Sequence, residues 1–319
     1  MRPDSCSSQA PDRTPSMNKA ILALAGTLLC AAPLLADGVD KSQVPAGTPF
    51  LVHLDLEGLL DSTVGKIILE QVGDELLAES GLSEIEAELG INPLEDIKSI
   101  TVFSTGSSME HGVALVRCTA RIEQAFERLH EEQDVRTFEE GGYTLHAIDD
   151  AVAYLAKDGD ERIVLLSDDV SQIVKAADVL HGEAANLADN ERSSLKVTPM
   201  KGAFLFLEVG DALGDLMEAG PASVLGKVAK SFSLQIGEDD GDITIRAEIE
   251  TENEVDASKV SSVLQGFQAL ATMVGDEIPG FARDLIGSIN LRTRGNRVRG
   301  QLSVPVRGLL EMLEGLEDF

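Results

Sequence analysis

The chain has 319 residues, 43% of them hydrophobic, with 26 Lys and Arg against 55 Asp and Glu for a formal net charge of −29. That apolar share is ample for a core and excludes a disordered chain, and the length suits two domains or one duplicated one. So acidic a chain repels phosphate backbones and anionic lipid, and with no Trp and two Tyr it lacks aromatic platforms for bases or sugars, so nucleic acid is excluded as a partner.

The first 36 residues read as a leader. Met17-Asn18-Lys19 is a short basic region, Ala20 to Leu35 an apolar run, and Ala36 before Asp37 a signal-peptidase site, with the true start at Met17. At about 16 residues the run is short of the roughly 20 that a spanning helix needs. The expectation is export to the periplasm or exterior, with a soluble mature chain and no membrane span after cleavage. Lipidation at Cys30 is disfavoured, because Leu29 stands where a small residue is needed. Cleavage leaves Cys118 as the one cysteine, so no intramolecular disulfide forms. Lying in the apolar run Val113 to Cys118, it reads as a buried small hydrophobe and not a reactive thiol.

After a polar linker, 37–48, Phe50 to Leu56 alternates as a strand, and Leu59 to Leu76 carries helical apolar spacing, followed by a short helix from Ser83 to Leu89. Ile97 to Ser104 and Gly112 to Cys118 form a hairpin across Gly106-Ser107-Ser108. The helix Arg121 to Gln133 follows, with Ile122, Ala125, Phe126 and Leu129 on one face. Two more hairpins come next, Val135–Phe138 with Tyr143–Ile148 across Gly141-Gly142, and Ala151–Ala156 with Arg162–Ser167. Asp168 or Asp169 caps a helix whose face is Val170, Ile173, Val174 and Ala177.

Residues 183–201, polar and holding Pro199, divide a first half, 49–182, from a second, 202–319. Ala203 to Leu213 aligns without a gap on Phe50 to Leu60, placing Leu205 on Val52 and Leu207 on Leu54. A hairpin of Ser231–Ile236 and Asp242–Glu250 then leads into a helix carrying Val260, Val263, Leu264, Phe267, Leu270, Ala271 and Val274. A short helix, Phe281 to Ile286, precedes the last hairpin, Ile289 to Leu302. Its Gly295-Asn296 turn pairs Arg294 with Arg297, Thr293 with Val298 and Arg292 with Arg299. Pro305 opens a final helix with Val306, Leu309, Leu310, Leu313 and Leu316 on one face. A hairpin followed by a helix thus occurs four times, from Ile122, Val170, Val260 and Val306, which predicts internal duplication. The fold class is α+β, an antiparallel sheet or two related sheets with helices packed on the apolar face.

An exported leader, Val52-His53-Leu54-Asp55-Leu56, Ser167-Asp168-Asp169 opening a helix, Leu187-Ala188-Asp189-Asn190 in mid-chain and Phe204-Leu205-Phe206-Leu207-Glu208-Val209 restarting the pattern together resemble uncharacterised exported bacterial proteins of the domain-of-unknown-function type. The resemblance spans most of the mature chain and implies architecture, with no catalytic residue.

Catalytic apparatus is not recognised. There is no Gly-x-Ser-x-Gly and no phosphate loop, and the Ser-x-x-Lys at Ser193 to Lys196 lies in the charged linker. His53, His111, His130, His146 and His181 include no helical metal-binding pair. His53 and Asp55 share a strand face and read as polar residues facing water. The acidic stretch Gly237-Glu238-Asp239-Asp240-Gly241-Asp242 lacks EF-hand spacing and reads as a solvated hairpin tip. No cofactor and no metal is expected. One concentration of charge stands out in this acidic chain, Arg292, Arg294, Arg297 and Arg299 on one face of one hairpin. An acidic partner, acidic residues of the first half or a second copy would relieve their repulsion, and an edge strand protected by charge also accounts for them. The reading is an exported, non-catalytic binding or scaffold protein of the cell envelope. The alternatives are a carrier or sensor of an apolar ligand between sheet and helices, and an unrecognised hydrolase.

Overall fold

The computed structural model describes residues 38–70, 82–106, 111–132, 135–210, 213, 226, 228–273 and 280–308. The leader, the end of the Leu59–Leu76 helix, Ser107 and Ser108 of the first turn, Val274 and the final helix from Leu309 onward lie outside the described residues.

In chain order the elements are β1 (Phe50–Asp55), α1 (Leu56–Asp61), α2 (Leu82–Leu89), α3 (Pro93–Asp96), β2 (Ile97–Phe103), β3 (Val113–Cys118), α4 (Ile122–Glu132), β4 (Arg136–Glu140), β5 (Tyr143–Ile148), β6 (Ala151–Asp158), β7 (Glu161–Ser167) and α5 (Val170–Leu180). The second half supplies β8 (Ala203–Val209), β9 (Ala229–Asp239), β10 (Asp242–Thr251), α6 (Glu254–Met273), α7 (Gly280–Ser288), β11 (Asn290–Arg294) and β12 (Arg297–Pro305). Asp169, as expected, caps α5 through the Ser171 amide at 2.7 Å.

The strands of the described residues all join one antiparallel 12-stranded sheet, in the order β11-β12-β10-β9-β8-β1-β2-β3-β7-β6-β5-β4. The two stretches aligned in the sequence, β1 and β8, lie side by side at its centre, with His53 opposite Phe206, Val52 opposite Leu207 and Leu54 opposite Leu205. Because Val52 aligns with Leu205 and Leu54 with Leu207, this crossed pairing is what a local two-fold axis through His53 and Phe206 produces. Moving outward, the first half runs β1-β2-β3-β7-β6 and the second β8-β9-β10-β12-β11, the same order of connection. The hairpin β4–β5 extends the first half beyond that scheme.

Paired residues share a face, so the registers sort the side chains. On the upper face the row Leu54, Ile100, Val116 and Val164 crosses β1, β2, β3 and β7. Ile100, Val116 and Val164 pack under Ile122, Ala125, Phe126 and Leu129 of α4. In the second half the upper-face row Val209, Phe232, Ile249 and Val298 crosses β8, β9, β10 and β12, and Ala257 and Val260 of α6 cover Ile249 and Val298.

The lower face carries Leu51, Phe103, Val113, Leu115 and Leu165, and these pack against Ile173, Ala176 and Ala177 of α5. The helices therefore divide between both faces of the first half instead of forming the expected single layer. The cause is in β3 and β7, whose runs Val113-Ala114-Leu115-Val116 and Ile163-Val164-Leu165-Leu166 are apolar on consecutive residues and need cover on both sides. The two polar stretches read as linkers are packed as well. Ala46 donates to Ala185 at 3.0 Å and Leu187 to Val44 at 2.7 Å, and Val39, Val44, Leu187, Leu195 and Val197 belong to the lower-face core.

Candidate functional site

The lower face of the second half differs from all of this. Its rows read Glu208, Ser233, Glu248, Arg299, Arg292 across β8, β9, β10, β12 and β11, then Phe206, Gln235, Arg246, Gln301, Asn290, and on the other side Ser231, Glu250, Arg297, Arg294. The register of the last hairpin is the one its turn predicts. Every cross-strand neighbour in these rows but Phe206 is polar.

The four arginines do not act as one group. Arg299 donates to Glu248 Oε2 from Nε at 2.8 Å and from Nη2 at 2.6 Å, and Arg297 reaches Glu250 at 2.9 Å and Glu248 at 3.4 Å. Arg292 Nε donates to Asn290 at 3.1 Å, while Arg294 is exposed with no carboxylate against it among the described residues. For Arg297 and Arg299 that repulsion is relieved by Glu248 and Glu250 of β10, in their own half, while Arg292 and Arg294 have no carboxylate against them among the described residues.

Inward of these pairs lies a basin of about 220 Å³, with Arg246, Ser233, Gln235, Glu248 and Arg299 along the sheet and Lys196, Thr198 and Pro199 as a wall. Arg246 is half-buried and its Nε is enclosed without a hydrogen-bond partner. Burial, and then the Arg299 charge, hold its guanidinium below the usual arginine value. The wall is fastened from below. Glu208, buried, accepts from the amides of Lys196 at 2.8 Å and Val197 at 2.7 Å, and Gln235 accepts from Met200 at 2.6 Å and donates to the Thr198 carbonyl at 3.2 Å. Burial pushes the Glu208 carboxyl up, against the pull of those two amides. Val197 itself sits at φ +42°, a strained conformation for a β-branched residue, held by these bonds.

Arg246 and its neighbours were missed at the sequence level. The signal was present in Thr244, Arg246, Glu248 and Glu250, which alternate with Ile243, Ile245, Ala247 and Ile249 along β10 and so share one face. What was missing was the strand beside it.

Other candidates resolve differently. His53 and Asp55 do not face water: both are buried beneath the lower face, His53 Nδ1 lies 2.8 Å from Thr101 Oγ1, and Asp55 caps α1 through the Gly58 amide at 2.9 Å. The acidic stretch is the β9–β10 hairpin tip, as expected, with Asp239, Asp240 and Asp242 exposed and Asp239 bound to Lys201 Nζ at 2.6 Å; only Glu238 is buried. Ser193 Oγ accepts from the Leu195 amide, and Lys196 Nζ donates to the Ser193 carbonyl. Cys118 is buried, with its thiol pushed up to about 12 chiefly by that burial. No group of three or more metal-ligating side chains occurs among the described residues. The fold does bring His130 Nε2 within 3.0 Å of His146 Nδ1, a pair that spacing alone did not suggest.

No protein-family model matches the chain, and no curated protein matches it. Among solved structures, crystal form III of TP0453 is similar at 9% identity with a TM-score of 0.45, covering 88% of this chain and 99% of that one. Crystal form IV of TP0453 gives 8% identity and a TM-score of 0.45 over 90% of this chain and 99% of that one. At these values the likeness assigns neither a fold nor a role. No helix among the described residues is long and apolar enough to cross a membrane.

Proposed function

We propose that this is an exported, non-catalytic binding protein of the cell envelope, and that the open lower face of its second half receives a short acidic segment of a partner protein. The observation that carries the reading is Arg246, a half-buried guanidinium in a polar basin with its Nε enclosed and unpartnered, beside Arg297 and Arg299 already neutralised by β10. A carboxylate entering the basin pairs with the Arg246 guanidinium, which has no salt bridge among the described residues, and exposed Arg292 and Arg294 extend the positive strip to the sheet edge. The net charge of −29 opposes a large polyanion, but salt screens such repulsion beyond roughly 8 Å at physiological ionic strength, so a short acidic stretch suffices. The polar lining favours this reading over an apolar-ligand carrier.

The test is anisotropy of a fluorescent octaglutamate peptide titrated with the full chain. Binding is expected, weaker by roughly tenfold in Arg246→Met and in Arg292→Glu with Arg294→Glu, the order of one charged hydrogen bond lost. Absence of binding to the parent chain, or equal binding to the variants, overturns the reading.

A further inference from the structure

The sheet is open at both ends, with β4 outermost on one side and β11 on the other, and each pairs on one side only among the described residues. Unpaired edges template strand addition, and proteins blunt them with charge, proline or bulges. The two edges here are unlike in a way that decides what each accepts.

Strand β4 reads Arg136-Thr137-Phe138-Glu139-Glu140, exposed at every position but the partly buried Phe138, with no proline and no register shift against β5. Set antiparallel to a copy of itself about a two-fold axis at Phe138, it places Arg136 opposite Glu140 of the second copy on both sides of the axis. Phe138 then meets Phe138, and Thr137 meets Glu139. Neither Arg136 nor Glu140 has an ion-pair partner among the described residues, and the Arg136 guanidinium carbon lies 5.9 Å from the Phe138 ring centre.

Backbone parity admits this register and excludes its one-residue slips, and among the registers it admits the axis at Phe138 is the one that pairs Arg136 with Glu140. Gly141 and Gly142 at φ +60° and +86° form a two-residue turn whose closing pair is Glu140 with Tyr143. In an antiparallel ladder that pair exchanges hydrogen bonds, as do alternate residues beyond it. Glu140, Phe138 and Arg136 therefore bond inward to β5, and the N–H and C=O groups of Thr137 and Glu139 point outward. The two-fold register sets these outward groups against each other; a slip by one residue sets outward groups against inward ones and forms no ladder.

The same operation on β11 fails. About its centre, Arg292 meets Arg292, like charge on like charge at close range, and Asn290 meets Arg294 with no acid to offset either arginine. One edge is blunted and the other is complementary to itself.

We propose that β4 is a homodimerisation edge, through which two copies join their sheets about a two-fold axis at Phe138, with Arg136 and Glu140 as reciprocal cross-strand pairs. A self-complementary patch closes on two copies and does not propagate into a fibre.

Sedimentation velocity of the full chain over a range of concentrations, at about 0.15 M salt, tests this. A reversible monomer–dimer equilibrium is expected. Arg136→Glu and Glu140→Arg should each weaken it on the order of tenfold, since each replaces two attractive pairs with two repulsive ones. The double variant, which exchanges the two charges, should restore it. Thr137→Pro removes an outward N–H while sparing the β4–β5 ladder, and should abolish the dimer with unchanged far-ultraviolet dichroism. Arg292→Glu with Arg294→Glu should leave the dimer intact, which separates this proposal from peptide capture at the other edge. A chain that is monomeric throughout, or single charge reversals without effect, or a double variant no better than the singles, overturns it.

Discussion

The lower faces of the two halves are built on the same order of strands yet end in opposite chemistry. In the first half, Leu51, Phe103, Val113, Leu115 and Leu165 form an apolar floor roofed by α5. In the second, the corresponding surface is Glu, Ser, Arg and Gln, roofed only in part by the Lys196–Pro199 wall. Burial of the first face stabilises the fold through apolar area removed from water. The second face gives little stability, because its ion pairs are exposed at one end and each must offset its own desolvation. Face identity in this sheet therefore separates holding the fold together from presenting a surface, while the strand scheme is the same on both sides of the central axis.

The comparison predicts unequal costs. Leu165→Ala, at a position with no exposure beneath α5, should destabilise by about 2–5 kcal/mol in urea unfolding, the range for an aliphatic side chain removed from a packed core. A loss under about 1 kcal/mol would mean that the roof of α5 is loose and the contrast between the faces overstated. Next is Glu208→Ala, which strands the amides of Lys196 and Val197 and should cost about 2–3 kcal/mol. Glu208→Gln keeps an acceptor there and should cost less. Equal losses for the two substitutions would show that the side-chain volume, and not its hydrogen bonds, fixes the wall. Arg246→Met should change stability by no more than about 1 kcal/mol in either direction, since it removes a guanidinium whose Nε already lacks a partner and leaves the stem in place. A large loss from Arg246→Met would place that residue in the scaffold and not in a site.

Local features were legible in the sequence wherever period and turn chemistry agreed. The β11–β12 register followed from Gly295-Asn296 and the cap of α5 from Asp169, whereas the consecutive apolar residues of β3 and β7 demand cover on both faces and the expectation was a single helix layer. What the sequence hid was lateral. Nothing in β10 alone says that β12 lies beside it, so Glu248 and Glu250 were not seen as partners of Arg297 and Arg299, and Arg246 was not seen at all. Nor does polarity mark a linker: Val39, Val44, Leu187 and Leu195 are spaced without helical or strand period, yet each is buried beneath the lower face. His53 and Asp55 misled for the same reason, because alternation shows that two residues share a face but not which structure covers it.

The smallest expected effect concerns the hairpin β4–β5, the part of the first half with no counterpart among the described residues of the second. There His146 is held below the usual imidazole value, first by burial and then by the nearby His130. A group whose native pKa is lowered binds fewer protons folded than unfolded across the window between the two values, so stability must fall as pH drops into it. The contribution is present in full above the unfolded value of about 6.5 and is lost as pH falls below it. His146→Phe removes the titration while keeping a ring against Phe126, whose centroid lies 5.3 Å away. Comparing urea midpoints of the parent and His146→Phe from pH 8 down to pH 5 should show the parent losing ground progressively below about pH 6.5. Because the second half has no hairpin in this place among the described residues, the change should be traceable by hydrogen exchange to β4, β5 and α4 before it reaches β9 or β10. A difference between parent and variant that stays constant with pH would show that the two imidazoles, 3.0 Å apart, accommodate an added proton without cost to the fold.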